Sequence, residues 1–239
     1  MARIYRLPRT KGACQVVAIL RDYGQMLLTA MGYTMILALY GLFFACIIGL
    51  FFGLLSVVKN KFCNAVAKLF VYIIRGIPMI VLAYFVFFGI PYAFKNFLGI
   101  PLTFTALHAG TICLALNCGA YMAEIIRGGI QSVDIGQMEA ARSLGMSYGR
   151  SMYRIVLPQA IRTMIPSIIN QFIITLKDTS ILSIIGFPEL VNNAKNVIAI
   201  TFKSFQTWFI VAIMYLIVIT ALSVLAIKVE GRLNRDKQR

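Results

Sequence analysis

The sequence predicts an all-α integral membrane protein with five transmembrane helices and a helical cytoplasmic loop. Of its 239 residues, 60% are hydrophobic and 13% are charged, whereas a soluble globular domain has about 45–50% apolar residues. The apolar residues form runs near the length of about 20 residues that a helix needs to cross the hydrocarbon core of a bilayer. The charged residues collect between these runs. This distribution argues against a soluble domain.

The spans are placed by the apolar runs. Residues 24–58 carry no charge, but the run is too short for two spans and a turn, so we expect one long or tilted helix. In it, small residues recur at every fourth position (Gly41, Ala45, Gly49 and Gly53), which allows close approach either within the chain or to another subunit. The five predicted spans are residues 24–58, 77–94, 102–126, 155–185 and 205–227.

The segment KNKFCNAVAKLFVYIIRG, residues 59–76, has an apolar stripe flanked by Lys68 and Arg75. Such a pattern is typical of a helix that lies at the membrane interface, and we expect it to lead into the second span. The predicted domain organisation is a basic N-terminal segment at the interface (residues 1–23), a transmembrane domain (24–230) with a loop at about 127–158, and a basic cytoplasmic tail (231–239).

The net charge of +15 would suggest a nucleic-acid partner in a soluble protein. Here the lysines and arginines lie between the spans, and the side of the membrane that carries more of them is expected to be cytoplasmic. This rule places the loop at 127–158 and the C-terminus inside. The basic N-terminus then lies outside, against the rule, and no nucleic acid is expected as a partner.

The loop contains the polar stretch EAARSLGMSYGRSMYRIVLP, which begins at Glu139. Asp134 suits the N-terminus of a helix, Gly145 is expected to end that helix, and a second helix is expected from about Ser147 until Pro158 bends the chain towards the membrane. A short helix with small residues beside charges fits the groove of another protein. A solvated connecting loop is an equally good interpretation of the residues alone.

This stretch resembles the EAA motif of importer-type ATP-binding-cassette (ABC) permeases. Other segments resemble the polar amino acid permeases of that group, among them RGIP at residues 75–78, with Ile77 where threonine is usual, and QFIITLKDTSILSIIG at 171–186. The resemblance covers roughly residues 24–233. The motif positions that it identifies as the contact with an ATPase are Glu139, Ala140, Ala141, Gly145, Ile155, Leu157 and Pro158.

The resemblance implies the type I importer fold, with the loop as a coupling helix that inserts into a separate nucleotide-binding subunit. Glu139 is expected to fix the helix start or to contact that partner, and Ala140 and Ala141 to permit close approach. The implied partners are a second permease chain, identical or related, two ABC ATPase subunits, an extracytoplasmic solute-binding protein and membrane lipid. The implied location is a prokaryotic inner membrane.

The sequence offers no phosphate-binding G-x-x-x-x-G-K-[ST] loop, and its one histidine and eight acidic residues are too scattered for a catalytic set. A membrane-embedded enzyme is therefore disfavoured. No cofactor or metal is expected in this chain, and ATP and magnesium are expected on the partner ATPase subunits. An ion-coupled secondary carrier would predict acid pairs in mid-membrane and internal repeats, and neither is clear in the sequence.

Polar residues inside apolar spans are costly and therefore indicate function. Asn117 and Glu124 lie seven residues apart, on one helix face, although Asn117 also suits an interhelical hydrogen bond and Glu124 a pair with Arg127. A polar break in the fourth span suits a substrate with an ammonium and a carboxylate group, although its lysine and aspartate also suit mutual neutralisation. The predicted substrate-path residues are Asn117, Glu124, Lys177, Asp178, Thr179 and Ser180.

The function predicted from these residues and the resemblance is the permease subunit of an ATP-driven importer for polar amino acids. Methionine, an organic ion or another small solute is the alternative substrate class. Pro188 and Glu189, past the polar break, are further expected to lie near the docked binding protein.

Overall fold

The computed structural model of the protein describes residues 12–235, with the side chains of residues 15–228, and it is helical almost throughout this range. The bounds of the helices are as follows: α1 Gly12–Leu55, α2 Lys61–Gly76, α3 Met79–Tyr84, α4 Ile90–Leu98, α5 Ala106–Gln131, α6 Ile135–Ser143, α7 Tyr148–Ser151, α8 Leu157–Asp178, α9 Leu190–Thr201 and α10 Ser204–Arg235. Two π-helical turns, Phe85–Gly89 and Met152–Val156, join consecutive helices without a loop, and one 3₁₀ segment, Thr179–Ile185, continues directly from α8.

Five stretches of the described helices are long and apolar enough to cross a membrane, which confirms the predicted number of spans. Each overlaps the corresponding prediction. They are Gln15–Leu55, Met79–Leu98, Ala106–Gln131, Tyr148–Ile185 and Ser204–Lys228.

Helix α1 begins earlier than predicted. It is continuous from Gly12, so residues 12–23 belong to the same helix as the first span, and the helix does not start at residue 24. The charges that suggested a break do not interrupt the helix, because Arg21 and Asp22 are exposed and form an ion pair of 3.1 Å with each other. Residues 1–11 of the predicted interfacial segment, and residues 236–239 of the tail, lie outside the described residues.

The N-terminal half of α1 packs against α9 and α10. Ile19, Leu27 and Ala30 are almost fully buried there, in a cluster with Leu190 and Ile210. With 44 residues the helix is about 66 Å long, about twice the thickness of the hydrocarbon core. The helix therefore extends beyond the membrane.

The C-terminal half of α1 runs parallel to α5, which is the most deeply buried helix of the bundle. A Cβ atom added at Gly41 would lie 2.6 Å from Cβ of Leu114, and one added at Gly49 would lie 2.4 Å from Cβ of Met122. The backbones approach this closely only because these positions lack a side chain. The small-residue stripe of α1 thus serves packing within the chain.

Helix α2 and helix α3 run antiparallel to α5. Arg75 lies beside Glu124, Met79 beside Asn117, and the Cys113 thiol lies 3.8 Å from the carbonyl oxygen of Leu82. Residues 61–76 therefore run along α5 and lead into the second span, Met79–Leu98, as predicted. Gly76, Ile77 and Pro78 separate α2 from this span, since the residue before a proline disfavours the helical conformation and Ile77 is extended.

Pro158 does not bend the chain as predicted, because the helix passes through it. The π-helical turn Met152–Val156 immediately precedes this position, and the Leu157 N–H bonds to the carbonyl of Met152. A second turn of this kind, Phe85–Gly89, precedes Pro91 by the same offset. The wider turn accommodates a proline, which has no N–H and whose ring would clash in a regular helix.

The connection between the third and fourth spans is shorter than the predicted loop at 127–158. Helix α5 continues to Gln131 and the next span begins at Tyr148, so residues 132–147 remain outside the spans. Helices α5 and α8 are in close contact near this connection, since a Cβ atom added at Gly129 of α5 would overlap the Met164 side chain of α8.

Candidate functional site

The connection between the third and fourth spans contains a single short helix, α6. Its N-terminus is capped by Asp134, whose carboxylate accepts a hydrogen bond of 2.6 Å from the Gly136 N–H. A carboxylate at this position satisfies a free donor and suits the positive end of the helix dipole. Glu139 lies in the middle of α6, so the expectation that it fixes the helix start is wrong.

The C-terminus of α6 is a sharp turn at Gly145. The Gly145 N–H bonds to the carbonyl of Arg142, and the Met146 N–H bonds to the carbonyl of Ala141. These are the two bonds of a Schellman motif, which needs a left-handed residue, and Gly145 has a φ of 82°. The glycine therefore ends α6 and reverses the chain, as predicted.

The EAA residues face in different directions. Glu139 and Ala140 are exposed, whereas Ala141 is only 2% exposed. The expectation that Ala141 permits close approach of a partner is therefore wrong, because this side chain already packs inside the chain. Helix α6 packs on the π-helical turn Met152–Val156, and Met138 joins the cluster around Val156.

The second half of the motif connects α6 to the spans. Val156 and Ala160 are buried against Ile126 and Ile130 of α5, and the motif residue Leu157 packs on the edge of this cluster. Ile155 is half-buried and Pro158 is exposed. Helix α6 therefore rests on a turn that packs on α5 and opens α8, which places it in contact with the elements of the third and fourth spans.

Large apolar side chains around α6 are exposed although they lie outside the spans. Ile135 is 74% exposed and Leu144 is 84% exposed. An apolar surface of this kind outside the membrane indicates contact with another protein, and sequence reasoning did not single out these residues.

A polar cavity of about 480 Å³ lies between α2, α3, α5 and α8. Asn117 is 9% exposed, and the nearest polar contact of its amide nitrogen is the Met79 sulfur at 3.9 Å. Asp178, the last residue of α8, also lines the cavity. The structure therefore brings together two of the six predicted substrate-path residues. Ten residues line the cavity: Arg75, Gly76, Ile77, Pro78, Met79, Asn117, Tyr121, Gln171, Ile174 and Asp178.

Glu124 lies about two turns further along α5 than Asn117, in an adjoining cavity of about 570 Å³. It forms an ion pair with Arg127, which confirms that alternative, and a longer one of 3.9 Å with Arg75. The Arg75 guanidinium also lies 4.8 Å from the centre of the Tyr121 ring, within range of a cation–π contact. Arg75 and Tyr121 line both cavities, so the two cavities are neighbours that share these side chains.

The other predicted residues of the fourth span lie outside the cavity. Lys177 is exposed on another face of the helix. The Thr179 hydroxyl donates to the carbonyl of Leu176, and the Ser180 hydroxyl donates to the carbonyl of Lys177. These hydroxyls satisfy backbone groups at the change from α-helix to 3₁₀ helix, which confirms the predicted irregularity of the span.

Sequence reasoning missed Arg75, Tyr121 and Gln171 as cavity residues. A signal for Arg75 was present, since it begins the RGIP segment that separates α2 from the second span. Tyr121 follows Asn117 by four residues and Gln171 precedes Asp178 by seven, so each shares a helix face with a predicted residue. Among the described residues, no three His, Cys, Asp or Glu side chains are placed to hold a metal.

The side chain of Glu189, past the polar break, is fully buried. The carboxylate caps α9, since it accepts hydrogen bonds from the N–H groups of Val191 and Asn192 at 2.8 and 2.6 Å, and Tyr215 donates to it at 3.3 Å. Burial raises the pKa of Glu189 above its usual value, and the hydrogen bonds partly oppose this shift. Pro188 remains exposed.

Comparison with known proteins identifies the family. Residues 45–235 match the model of the binding-protein-dependent transport system inner membrane component. The glutamine transport system permease protein of Escherichia coli strain K12 is 35% identical over 201 residues, which are 84% of this chain and 90% of that protein.

Solved structures agree with this match. A crystal structure of an amino acid ABC transporter with histidines has a TM-score of 0.83 at 33% identity, covering 91% of this chain and 98% of that one. An inward-facing methionine ABC transporter has a TM-score of 0.72 at 17% identity, covering 88% and 97%, and this likeness shows the fold alone. The chain belongs to the family of binding-protein-dependent transport system inner membrane components, and it is a multi-pass permease of an ABC importer.

Proposed function

We propose that this permease admits polar amino acids to the cell, and that the cavity beside Asn117 and Asp178 is where the solute passes. A free amino acid carries an ammonium and a carboxylate group. The cavity offers one carboxylate, Asp178, and one guanidinium, Arg75, together with the neutral polar groups of Asn117, Tyr121 and Gln171. This combination of opposite charges and neutral donors in one cavity is the observation that carries the proposal.

Transport is driven by ATP, in this proposal, through α6. Two ABC ATPase subunits, which hold ATP and magnesium, bind the exposed face around Glu139 and Ala140 and draw together as they close. The contact of α6 with the turn Met152–Val156 passes this movement to α5 and α8, which carry Asn117 and Asp178. The cavity then opens to the other side, a change between two states.

The proposed assembly has a second permease chain, identical or related, because five spans surround only half of a pathway. A solute-binding protein delivers the amino acid from outside. Helix α6 and the C-terminus lie in the cytoplasm, where the positive-inside rule puts them, and the N-terminus lies outside. The similarity to the E. coli relative, whose name specifies glutamine, supports a polar amino acid as the substrate. The methionine transporter resembles this chain only in its fold.

Asp178→Asn tests the cavity and Lys177→Gln is its matched control. The two substitutions each remove one charge from adjacent residues, but only Asp178 lines the cavity. With the assembled transporter in proteoliposomes, uptake of labelled amino acid should require ATP and the binding protein. We expect Asp178→Asn to lower it by roughly tenfold or more, as loss of a charged hydrogen-bond partner does, and Lys177→Gln to leave it within about twofold.

Equal uptake by both variants would contradict the role of the cavity. Uptake that follows an ion gradient without ATP would contradict the importer itself and favour a secondary carrier. ATP hydrolysis measured in parallel shows whether each variant still assembles with its ATPase.

A further inference from the structure

A groove of about 400 Å³ lies where the chain turns from α1 into α2. One wall is a single face of α2, formed by Lys61, Asn64, Ala65 and Lys68, which lie at spacings of three, four and seven residues. Val58 and Lys59 of the turn form the other side. The turn is held in place, because Asn60 caps α2 through the Phe62 N–H at 2.9 Å and the Asn64 amide donates to the carbonyl of Ser56.

The groove is positively charged and has no acidic residue in its lining. Lys59, Lys61 and Lys68 are exposed, and the ion pairs found among the described side chains do not include them. The Lys59 ammonium lies 5.3 Å from the centre of the Tyr148 ring, which orients it without neutralising its charge. Three lysines therefore line the groove, and within the described part of the chain no acidic side chain pairs with them.

An apolar strip runs along α2 beside the lysines. Phe62, Val66, Leu69 and Ile73 follow one another at spacings of four, three and four residues, which keeps them on one face. Phe62 is 75% exposed and Leu69 is 59% exposed. Because Phe62 and Leu69 directly follow Lys61 and Lys68 in the chain, the charged groove and the apolar strip are neighbours on the helix surface.

The groove lies at the membrane boundary on the side of α6. Helix α2 runs antiparallel to α5, and Lys68 lines a cavity with Arg127, near the end of α5 that leads to α6. Lys61 lies two turns further in the same direction. The lysines therefore lie beside the end of the third span that leads to α6, where lipid headgroups are expected, and the strip from Phe62 to Ile73 extends from them along α2 towards the second span.

We infer that this groove binds the headgroup of an anionic phospholipid, with the phosphate between Lys61 and Lys68 and an acyl chain along the apolar strip. Basic clusters beside a span attract anionic lipids by about 1 kcal/mol per lysine or arginine. A second copy of this chain is a poor occupant, since it brings 23 basic residues and only eight acidic ones. The inference rests on the proposed function only for the cytoplasmic position of α6. Its experiment measures bound lipid and does not depend on transport.

The test measures which lipids stay bound to the assembled transporter. The complex is extracted from membranes of equal phosphatidylglycerol and phosphatidylcholine content, and its bound lipids are counted by native mass spectrometry. The variant is Lys61→Gln with Lys68→Gln. The matched control is Lys95→Gln with Lys203→Gln, which removes the same charge at the opposite end of the bundle, and Lys61→Arg with Lys68→Arg keeps the charge.

We expect the first variant to lower the enrichment of phosphatidylglycerol by roughly tenfold, while the control and the arginine variant keep it. Unchanged enrichment in the first variant, or an equal loss in the control, would overturn the inference. So would loss of the ATPase without loss of lipid, which would make the groove a protein contact, or displacement of the lipid by inorganic phosphate. If the double variant assembles poorly, Lys61→Gln alone should show a smaller loss in the same direction.

Discussion

At the scale of single residues, Gly145 decides how α6 ends. Its φ of 82° lies in the left-handed region, which costs other residues about 1–2 kcal/mol. We expect Gly145→Ala to loosen the turn after α6 and to lower ATP-dependent uptake several-fold. Gly149→Ala is the control, because Gly149 has an ordinary helical φ and open space at its Cβ position, and we expect it to leave uptake unchanged.

Uptake that is equal in the two alanine variants would show that the geometry of this turn is unimportant for transport. Gly145→Asn provides a further comparison, since asparagine adopts the left-handed conformation more readily than alanine. It should retain more uptake than Gly145→Ala. Membrane levels of each variant, measured by immunoblot, separate a transport defect from loss of the protein.

Single residues also show which structural features could be predicted from the sequence. Asp134 and Gly145 were predictable, because capping and left-handed turns depend on local residue chemistry. The burial of Ala141 and Glu189 was not, because it depends on which elements lie against α6 and α9. Arg75 was visible in the RGIP segment, but its position between Glu124 and Tyr121 required the packing of α2 on α5.

At the scale of helices, the packing of α1 on α5 depends on glycine at the points of closest approach. A Cβ atom at Gly49 would lie 2.4 Å from Cβ of Met122, so Gly49→Ala must push the helices apart. Overpacking of this kind costs about 1–3 kcal/mol. We expect Gly49→Ala to lower the thermal unfolding midpoint of the purified transporter in detergent.

Gly32→Ala is the matched control on the same helix. Gly32 is exposed and has open space at its Cβ position, so alanine there should be neutral or slightly stabilising, since it favours the helical backbone. An unfolding midpoint that falls equally in both variants would mean that the α1–α5 contact is not the cause.

The predictions for individual helices were wrong or incomplete where one sequence pattern is compatible with more than one structure. The five spans followed from apolar composition. The start of α1 did not, because Arg21 and Asp22 neutralise each other on an exposed face. The amphipathic pattern of α2 fits an interfacial helix as well as a helix with a buried face, a lipid face and a basic face. Pro158 signals a disturbed helix but does not distinguish a bend from a π-helical turn.

At the scale of the whole molecule, the cavity could be predicted only in part, because three separate parts of the chain build it. Asn117 and Asp178 were identified as polar groups inside apolar spans, one at a time. Their common cavity needs α5 and α8 to meet beside the break between α2 and α3. The same break gives Arg75 its place, so opposite charges reach one cavity by packing of distant segments.

The whole transporter also explains why α6 exposes apolar side chains. Leu144 is 84% exposed at the turn that reverses the chain, and Phe97 is 82% exposed at the end of α4, on the opposite side of the bundle. We propose that the ATPase covers only the first. Burial of a leucine side chain is worth about 1.5–3 kcal/mol, so Leu144→Ser should weaken ATPase binding by roughly tenfold or more, and Phe97→Ser should not. Co-purification of the ATPase with each variant measures this difference, and equal ATPase recovery would mean that the surface around Leu144 is not where the ATPase binds.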